Sequence, residues 1–99
     1  MARVVWTRQA RDDLRRIRDY IAADAPLFAQ VFVDRLTGSV TRLRDFPRSG
    51  RVVPEFDLEH IREIIVANYW IVYRVRGNTV EVTTVFHSTW SISLQHIEV

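Results

Sequence analysis

Guanidiniums can hold a phosphate and an imidazole can move a proton, and the second half of this 99-residue chain carries Arg51, Arg62, Arg74 and His87. Each has a plainer reading. His87, at a strand end, suits a satisfied structural histidine. Arg62 is placed to close the core edge by pairing with a helix carboxylate such as Asp13. Arg74 falls between Glu63 and Glu81 as a cross-strand charge network. Trp70 and Trp90, if exposed, are candidate partner anchors, because Trp is enriched at interface hot spots; Trp6 reads as core. His60 and His96 have no company that suggests a metal site. With no cysteine, disulfides and thiolate metal sites are excluded.

Three runs must position these groups: I-R-E-I-I-V-A, W-I-V-Y-R-V-R and T-V-E-V-T-T-V-F, over residues 61–86. They are rich in Val, Ile, Tyr, Trp and Thr and are separated by Asn68-Tyr69 and Gly77-Asn78, the pattern of an antiparallel meander. Gly77-Asn78 suits a tight hairpin turn needing positive φ; Asn68-Tyr69 is a weaker turn. With two-residue loops at both, 76 pairs with 79, 74 with 81 and 63 with 74. One face then carries Arg62, Ile64, Val66, Ile71, Tyr73, Val75, Val80, Val82, Thr84 and Phe86, and should bury against helices. The other carries Glu63, Trp70, Val72, Arg74, Arg76, Glu81, Val85 and His87, and should stay partly open. Arg62 and His87 thus point to opposite faces, and a one-residue slip would invert the pattern.

The rest of the chain supplies that cover. Val4-Val5-Trp6 makes one short strand at the sheet edge. Thr7 is an N-cap candidate, and Asp12 and Asp13 near the helix start suit its dipole. Ala10, Leu14, Ile17 and Ile21, with Tyr20 beside them, predict an amphipathic helix over residues 8–23. Arg8, Arg11, Arg15 and Arg18 stripe its far side, partly neutralised by i,i+4 pairs from Asp12 to Arg16 and from Arg15 to Asp19. Asp24-Ala25-Pro26 restarts the chain. Ala29, Phe32, Val33, Leu36, Val40 and Leu43 predict a second helix from about 26 to 45, closing an antiparallel hairpin. Phe28 and Phe32 fill the core, with Phe28 also placed for a partner. Phe46-Pro47 stops the helix and Pro47-Arg48-Ser49-Gly50 turns. Residues 51–60 read as an exposed loop or a short edge strand. Residues 91–99 fit no single period and are left as a strand, a short helix or a partner-ordered tail.

Residues 1–99 therefore read as one domain of α+β class, ordered β-α-α-β-β-β, with a helical hairpin on one face of an antiparallel sheet. Hydrophobic residues make up 47% of the chain, enough for a core, and no apolar run approaches a membrane span. The opening M-A-R-V-V-W-T-R lacks the features of an export signal, so a cytoplasmic location is expected. All fourteen basic residues are Arg, and the net +2 is uneven. Residues 1–50 carry ten Arg against six Asp; residues 51–99 carry four Arg against six acids. A basic helical half attracts an acidic partner or nucleic acid.

That order, with these residues in place, resembles the RelE/ParE superfamily of toxins from type II toxin–antitoxin systems. Trp6-Thr7 with Ala10, Asp13-Leu14, Ile17 and Tyr20-Ile21 looks like its strand-to-helix opening. Phe46-Pro47-x-x-Gly50-Arg51 looks like its turn after the second helix. Arg62-Glu63, Tyr73-Arg74 and Val85-Phe86-His87 resemble its sheet signatures. The resemblance covers roughly residues 3–90. It implies one of two activities: ribosome-dependent mRNA cleavage in RelE-like members, or poisoning of DNA gyrase in ParE-like ones. Cleaving RNA by attack of its own 2′-OH needs a base, an acid and cations that hold the strained phosphate. The nuclease branch supplies them with Arg and Lys and a Tyr or His-Tyr pair near the carboxyl end, and the resemblance makes Arg51, Arg62, Arg74 and His87 the available pieces. Here there is no Lys, no Tyr follows Tyr73, and Trp90 sits where an Arg or Tyr is wanted. The stretch His87-Ser88-Thr89-Trp90 looks more like ParE-like chains. The favoured expectation is a cofactor-free gyrase inhibitor that arrests growth. The alternatives are a metal-independent endoribonuclease and a non-toxic co-repressor. The resemblance also implies a cognate antitoxin with an acidic, initially disordered segment. It would dock by strand addition or as a helix along the hairpin. Arg11, Arg15, Tyr20, Phe28, Trp70 and Trp90 are the candidate contacts for antitoxin or target.

Overall fold

The structure, a computed structural model, describes residues 1–89. Strand β1 (Arg3–Trp6) leads into helices α1 (Arg8–Ala22) and α2 (Pro26–Val40), and a 3₁₀ turn (Thr41–Arg44) follows. Then come β2 (Arg51–Val52), β3 (Ile61–Val66), β4 (Tyr69–Arg76) and β5 (Thr79–His87). They form one sheet in the order β1-β5-β4-β3-β2. Both helices match their sequence reading, except that the end of the second tightens into the 3₁₀ turn. The sheet is antiparallel apart from β1, which runs parallel to β5. Residues 51–60 give a two-residue edge strand and then a loop.

Thr7 caps α1 as expected, its hydroxyl oxygen accepting from the Ala10 amide at 3.1 Å. The same hydroxyl donates to the Thr83 carbonyl, so the cap also ties the helix start to β5. Pro26 stands at the first turn of α2, where its missing N–H costs nothing. Ala29, Phe32, Val33, Leu36, Val40 and Leu43 are all buried, as their period predicts. Phe28 is half-exposed rather than core, resting beside Phe32. The main core lies between the hairpin and Ile64, Val66, Tyr69, Ile71, Tyr73, Val75, Val80, Val82 and Val85.

Two register details depart from the sequence reading. The β3–β4 turn falls at Ala67-Asn68, so Glu63 pairs with Val72 and Ile61 with Arg74. Moving the turn by one residue shifts the partner on β4 by two, so the pleat is kept and Arg62 stays on the helix side. The cause is Tyr69. In the turn it would be exposed, whereas in β4 it is buried against Phe32 and the edge of His87. The cost is Ala67 at φ +53°, a left-handed conformation that Ala rarely adopts. Gly77 takes φ +56° in the second turn without such a penalty.

The second departure is a β-bulge. Val82 pairs with Tyr73 but Thr84 pairs with Val72, leaving Thr83 as an extra residue. Beyond it the alternation inverts. Val85 joins the helix-side core, while Phe86 moves to the opposite face with Val72, Ile61 and Val53. The expected faces of Val85, Phe86 and His87 are thus exchanged.

Candidate functional site

Asp13 explains how the bulge is held. Its carboxylate accepts from the Thr84 hydroxyl at 2.6 Å and the Val85 amide at 3.0 Å. Gln9 and Arg16 donate to its other oxygen. Asp13 is therefore not a dipole partner at the start of α1, nor the mate of Arg62. It is a buried clamp from helix to sheet, which sequence reading missed because a second acid, Asp12, adjoins it and looks equivalent. Asp12 itself pairs with Arg15 three residues on, not with Arg16.

The sheet face away from the helices was expected to be partly open. It is largely closed: Glu63, Val72, Arg74 and Thr83 are buried, and Val53 and Phe56 of the loop after β2 pack there with Ile61, Trp70 and Phe86. Its cations are engaged. Arg51 binds the buried Glu63 carboxylate and lies 5.9 Å over the Trp70 ring. Arg74 donates to Glu81 at 3.0 Å. The expected Glu63–Arg74–Glu81 alignment thus becomes two adjacent pairs, because the shifted register sets Ile61 across from Arg74. Trp70 is half-buried against Phe86 rather than an exposed anchor.

Arg62 serves the backbone. Its guanidinium donates to the carbonyls of Glu59 (2.9 Å), Arg48 (3.1 Å) and Gly50 (2.9 Å). The Gly50 amide in turn donates to the Tyr73 hydroxyl at 2.9 Å. A Cβ on Gly50 would sit 2.6 Å from that hydroxyl and 2.7 Å from the Glu63 carbonyl oxygen, so the turn needs glycine here for close approach. Burial pushes the Tyr73 phenol above its ordinary range, outweighing the downward pull of the Gly50 bond and of Arg62, Arg42 and Arg48.

His87 lies elsewhere. The bulge brings it to the face of Arg62, correcting the opposite-face expectation, but at the far end: β4 pairs Arg62 with Tyr73 and His87 with Tyr69. Four residues of strand separate those partners, roughly 13 Å. One phosphate cannot meet both. His87 instead lines a cleft of about 260 Å³ at the open end of the hairpin, with Tyr20, Ile21, Phe28, Phe32, Ala67, Asn68 and Tyr69. Burial, with Tyr20 close by, raises the Tyr69 phenol too. Beside this cleft α2 exposes Leu27 (92%) and Val31, an apolar pair one turn apart that the helical period alone assigns to no core. On α1, Arg15 and Arg18 pair with Asp12 and Asp19, while Arg8 and Arg11 make no ion pair among the described residues. Trp90 and His96 lie outside the described residues, as does the 91–99 tail.

No group of three or more His, Asp or Glu among the described residues is arranged to hold a metal. No helix among them is long and apolar enough to cross a membrane.

A hairpin of helices on a five-stranded sheet, locked by Thr7, Asp13, Gly50, Arg62 and Tyr73, defines a small two-layer α+β protein. A family model described as the ParE toxin of the type II toxin–antitoxin system parDE matches residues 4–89. Toxin RelE2 of Caulobacter vibrioides is 35% identical over 89 residues, covering 89% of this chain and 97% of that protein. Putative toxin Y4kP of Sinorhizobium fredii is 35% identical over 88 residues, covering 87% and 88%. The solved chromosomal ParDE system from P. aeruginosa superposes with a TM-score of 0.76 at 22% identity, over 88% of this chain and 96% of that one. The toxin–antitoxin complex RelBE2 from Mycobacterium tuberculosis gives 0.58 at 23%, over 87% and 96%. At those identities the two structures speak for the fold. The chain belongs to the ParE toxin family of type II toxin–antitoxin systems, within the RelE/ParE superfamily.

Proposed function

We propose that this toxin acts by poisoning DNA gyrase and is silenced by a cognate antitoxin. One observation carries the reading. The four groups that could have formed a phosphate-cleaving set are committed to separate structural duties. Arg51 and Arg74 each hold a carboxylate, Arg62 holds three carbonyls, and His87 lines an aromatic cleft at the other end of β4. A gyrase poison needs a binding surface rather than a converging acid–base pair, and the family model points the same way. The antitoxin would cover the apolar end of the hairpin, with Tyr20, Phe28, Leu27 and Val31 as its floor. An acidic segment would then run along Arg11 and Arg15.

The test is a plasmid supercoiling assay with purified gyrase and increasing toxin, with and without the antitoxin encoded beside it. Lost supercoiling or accumulated cleaved plasmid, reversed by antitoxin, is the expected result. A second reading has its own support, since one 35% identical relative carries the name RelE2. Under it, the protein cleaves ribosome-bound mRNA, and an Arg62→Ala, His87→Ala variant that folds normally loses cleavage. A third reading, a co-repressor without toxicity, predicts that expressing the chain alone leaves growth unchanged.

A further inference from the structure

The Phe46-Pro47-x-x-Gly50-Arg51 turn has one member that the fold does not use. Gly50 and Arg51 are locked to Tyr73 and Glu63, but the Phe46 ring is 65% exposed. Its backbone is nevertheless fixed. The Asp45 and Phe46 amides both donate to the Arg42 carbonyl, and the Phe46 carbonyl accepts from the Ser49 amide. Pro47 stiffens the turn further. A large aromatic ring on a rigid turn, outside both hydrophobic clusters, is suited to a contact.

Two clefts flank it and share Pro47. One, of about 480 Å³, is lined by Phe46, Arg48, Ser49, Val75 and Gly77. The other, of about 460 Å³, is lined by Met1, Ala2, Arg44, Asp45 and Asn78. Around them stand Arg42, Arg44 and Arg48, all exposed. Arg42 and Arg44 make no ion pair among the described residues, and Arg48 meets only the exposed Glu59. Among the described residues, Asp45 is the sole acid lining either cleft.

We propose that this turn binds an unpaired nucleic-acid strand, one base stacking on Phe46 and the flanking phosphates meeting Arg42, Arg44 and Arg48. The sequence R-L-R-D-F-P-R interleaves guanidiniums with one exposed ring, which matches what each nucleotide offers: a π-face and a charge. An acidic peptide would use the same cations but has no regular need for the ring. A duplex keeps its bases stacked away from it. The site lies apart from the hairpin cleft assigned to the antitoxin, so it stands whichever target the toxin has.

The test is fluorescence anisotropy of the full-length chain with labelled twelve-nucleotide DNA and RNA strands and a twelve-base-pair duplex, at several salt concentrations. Wild-type protein should bind a single strand more tightly than the duplex, and comparing DNA with RNA identifies the natural source. Phe46→Ala should weaken strand binding roughly five- to a hundredfold. The double variant Arg42→Ala, Arg44→Ala should flatten the log–log salt slope by about 1.4. Arg8→Ala, Arg18→Ala removes equal charge on α1 and should leave strand affinity nearly unchanged. Circular dichroism checks that each variant folds. Unchanged affinity in Phe46→Ala, or an equal loss in the α1 control, would reduce the binding to general charge attraction and overturn the proposal. Loss of antitoxin affinity in Phe46→Ala with no strand binding by wild type would assign the turn to a protein partner instead.

Discussion

At the scale of single residues, five of the motif positions that gave the family resemblance, Thr7, Asp13, Gly50, Arg62 and Tyr73, tie separate backbone segments together. Gly50 is the sharpest case, with an amide bonded to Tyr73, a carbonyl bonded to Arg62 and no room for a methyl group. Gly50→Ala should cost roughly 1–3 kcal/mol, because the Glu63 carbonyl it meets is backbone and cannot swing aside. Tyr73→Phe should cost about 1 kcal/mol through the lost bond alone. Urea midpoints of the two variants check this ranking. Tyr73 and Tyr69 also set an alkaline limit. Both phenols are raised, chiefly by burial, so the folded state prefers them neutral while the unfolded chain ionises near pH 10. Their stabilisation is full below about pH 10 and is lost as the pH climbs from there toward the folded values. Denaturation midpoints followed across that range, with phenolate absorbance, should show stability falling before these two tyrosines ionise in the native protein.

At the scale of elements, both helices, the hairpin between them and the three-strand meander are legible, because each rests on a period or a breaker visible over several residues; the parallel pairing of β1 with β5 is not. Nor is register. The turn at Ala67-Asn68 is decided by the burial of Tyr69, a tertiary gain that overrides local turn preference, and no single-strand pattern announces a bulge at Thr83. The candidate site suffered accordingly. His87 was assigned the wrong face, and the clamp that makes the bulge, Asp13, looked like an ordinary helix acid. Leu27, Val31 and the exposed ring of Phe46 have no assigned role in the sequence reading, because nothing in the period or the turn signal says what an apolar side chain outside the core stripe contacts. Asp13→Ala should lower stability by about 2–3 kcal/mol, since it strips partners from the buried Thr84 hydroxyl and Val85 amide. An effect below 0.5 kcal/mol in chemical denaturation, a round threshold set by surface substitutions, would show that water replaces the carboxylate. Ala67→Gly should gain up to about 1 kcal/mol, relief of the left-handed strain being partly offset by a more flexible unfolded chain. The same denaturation curves report it.

At the scale of the molecule, charge and apolar surface are laid out separately. The hairpin end offers Tyr20, Leu27, Phe28 and Val31, while Arg8, Arg11, Arg15 and Arg18 belong to α1. A partner that fits both has an apolar anchor continued by acidic residues. Reversal of Arg11 and Arg15 to Glu should therefore weaken the antitoxin complex by at least tenfold at low salt, mainly through slower association. The difference should shrink as salt rises. Surface plasmon resonance measures both rates, and equal association rates for wild type and variant would show that the stripe is merely solvated.

The strand order carries a consequence in time. β5, the last strand among the described residues, sits between β1 and β4, and the register joins Arg3 to Thr79 and Trp6 to Val82. β2, β3 and β4 can pair among themselves, but β1 has no neighbour until β5 has been made. At 5–20 residues per second, synthesis from Arg3 to His87 takes roughly 4–17 s, and β1 waits through it. Products interrupted before Thr79 lack the strand that joins β1 and α1 to the rest of the sheet, so a broken message yields no half-working toxin. The interval before completion is one in which an antitoxin made nearby can already be present.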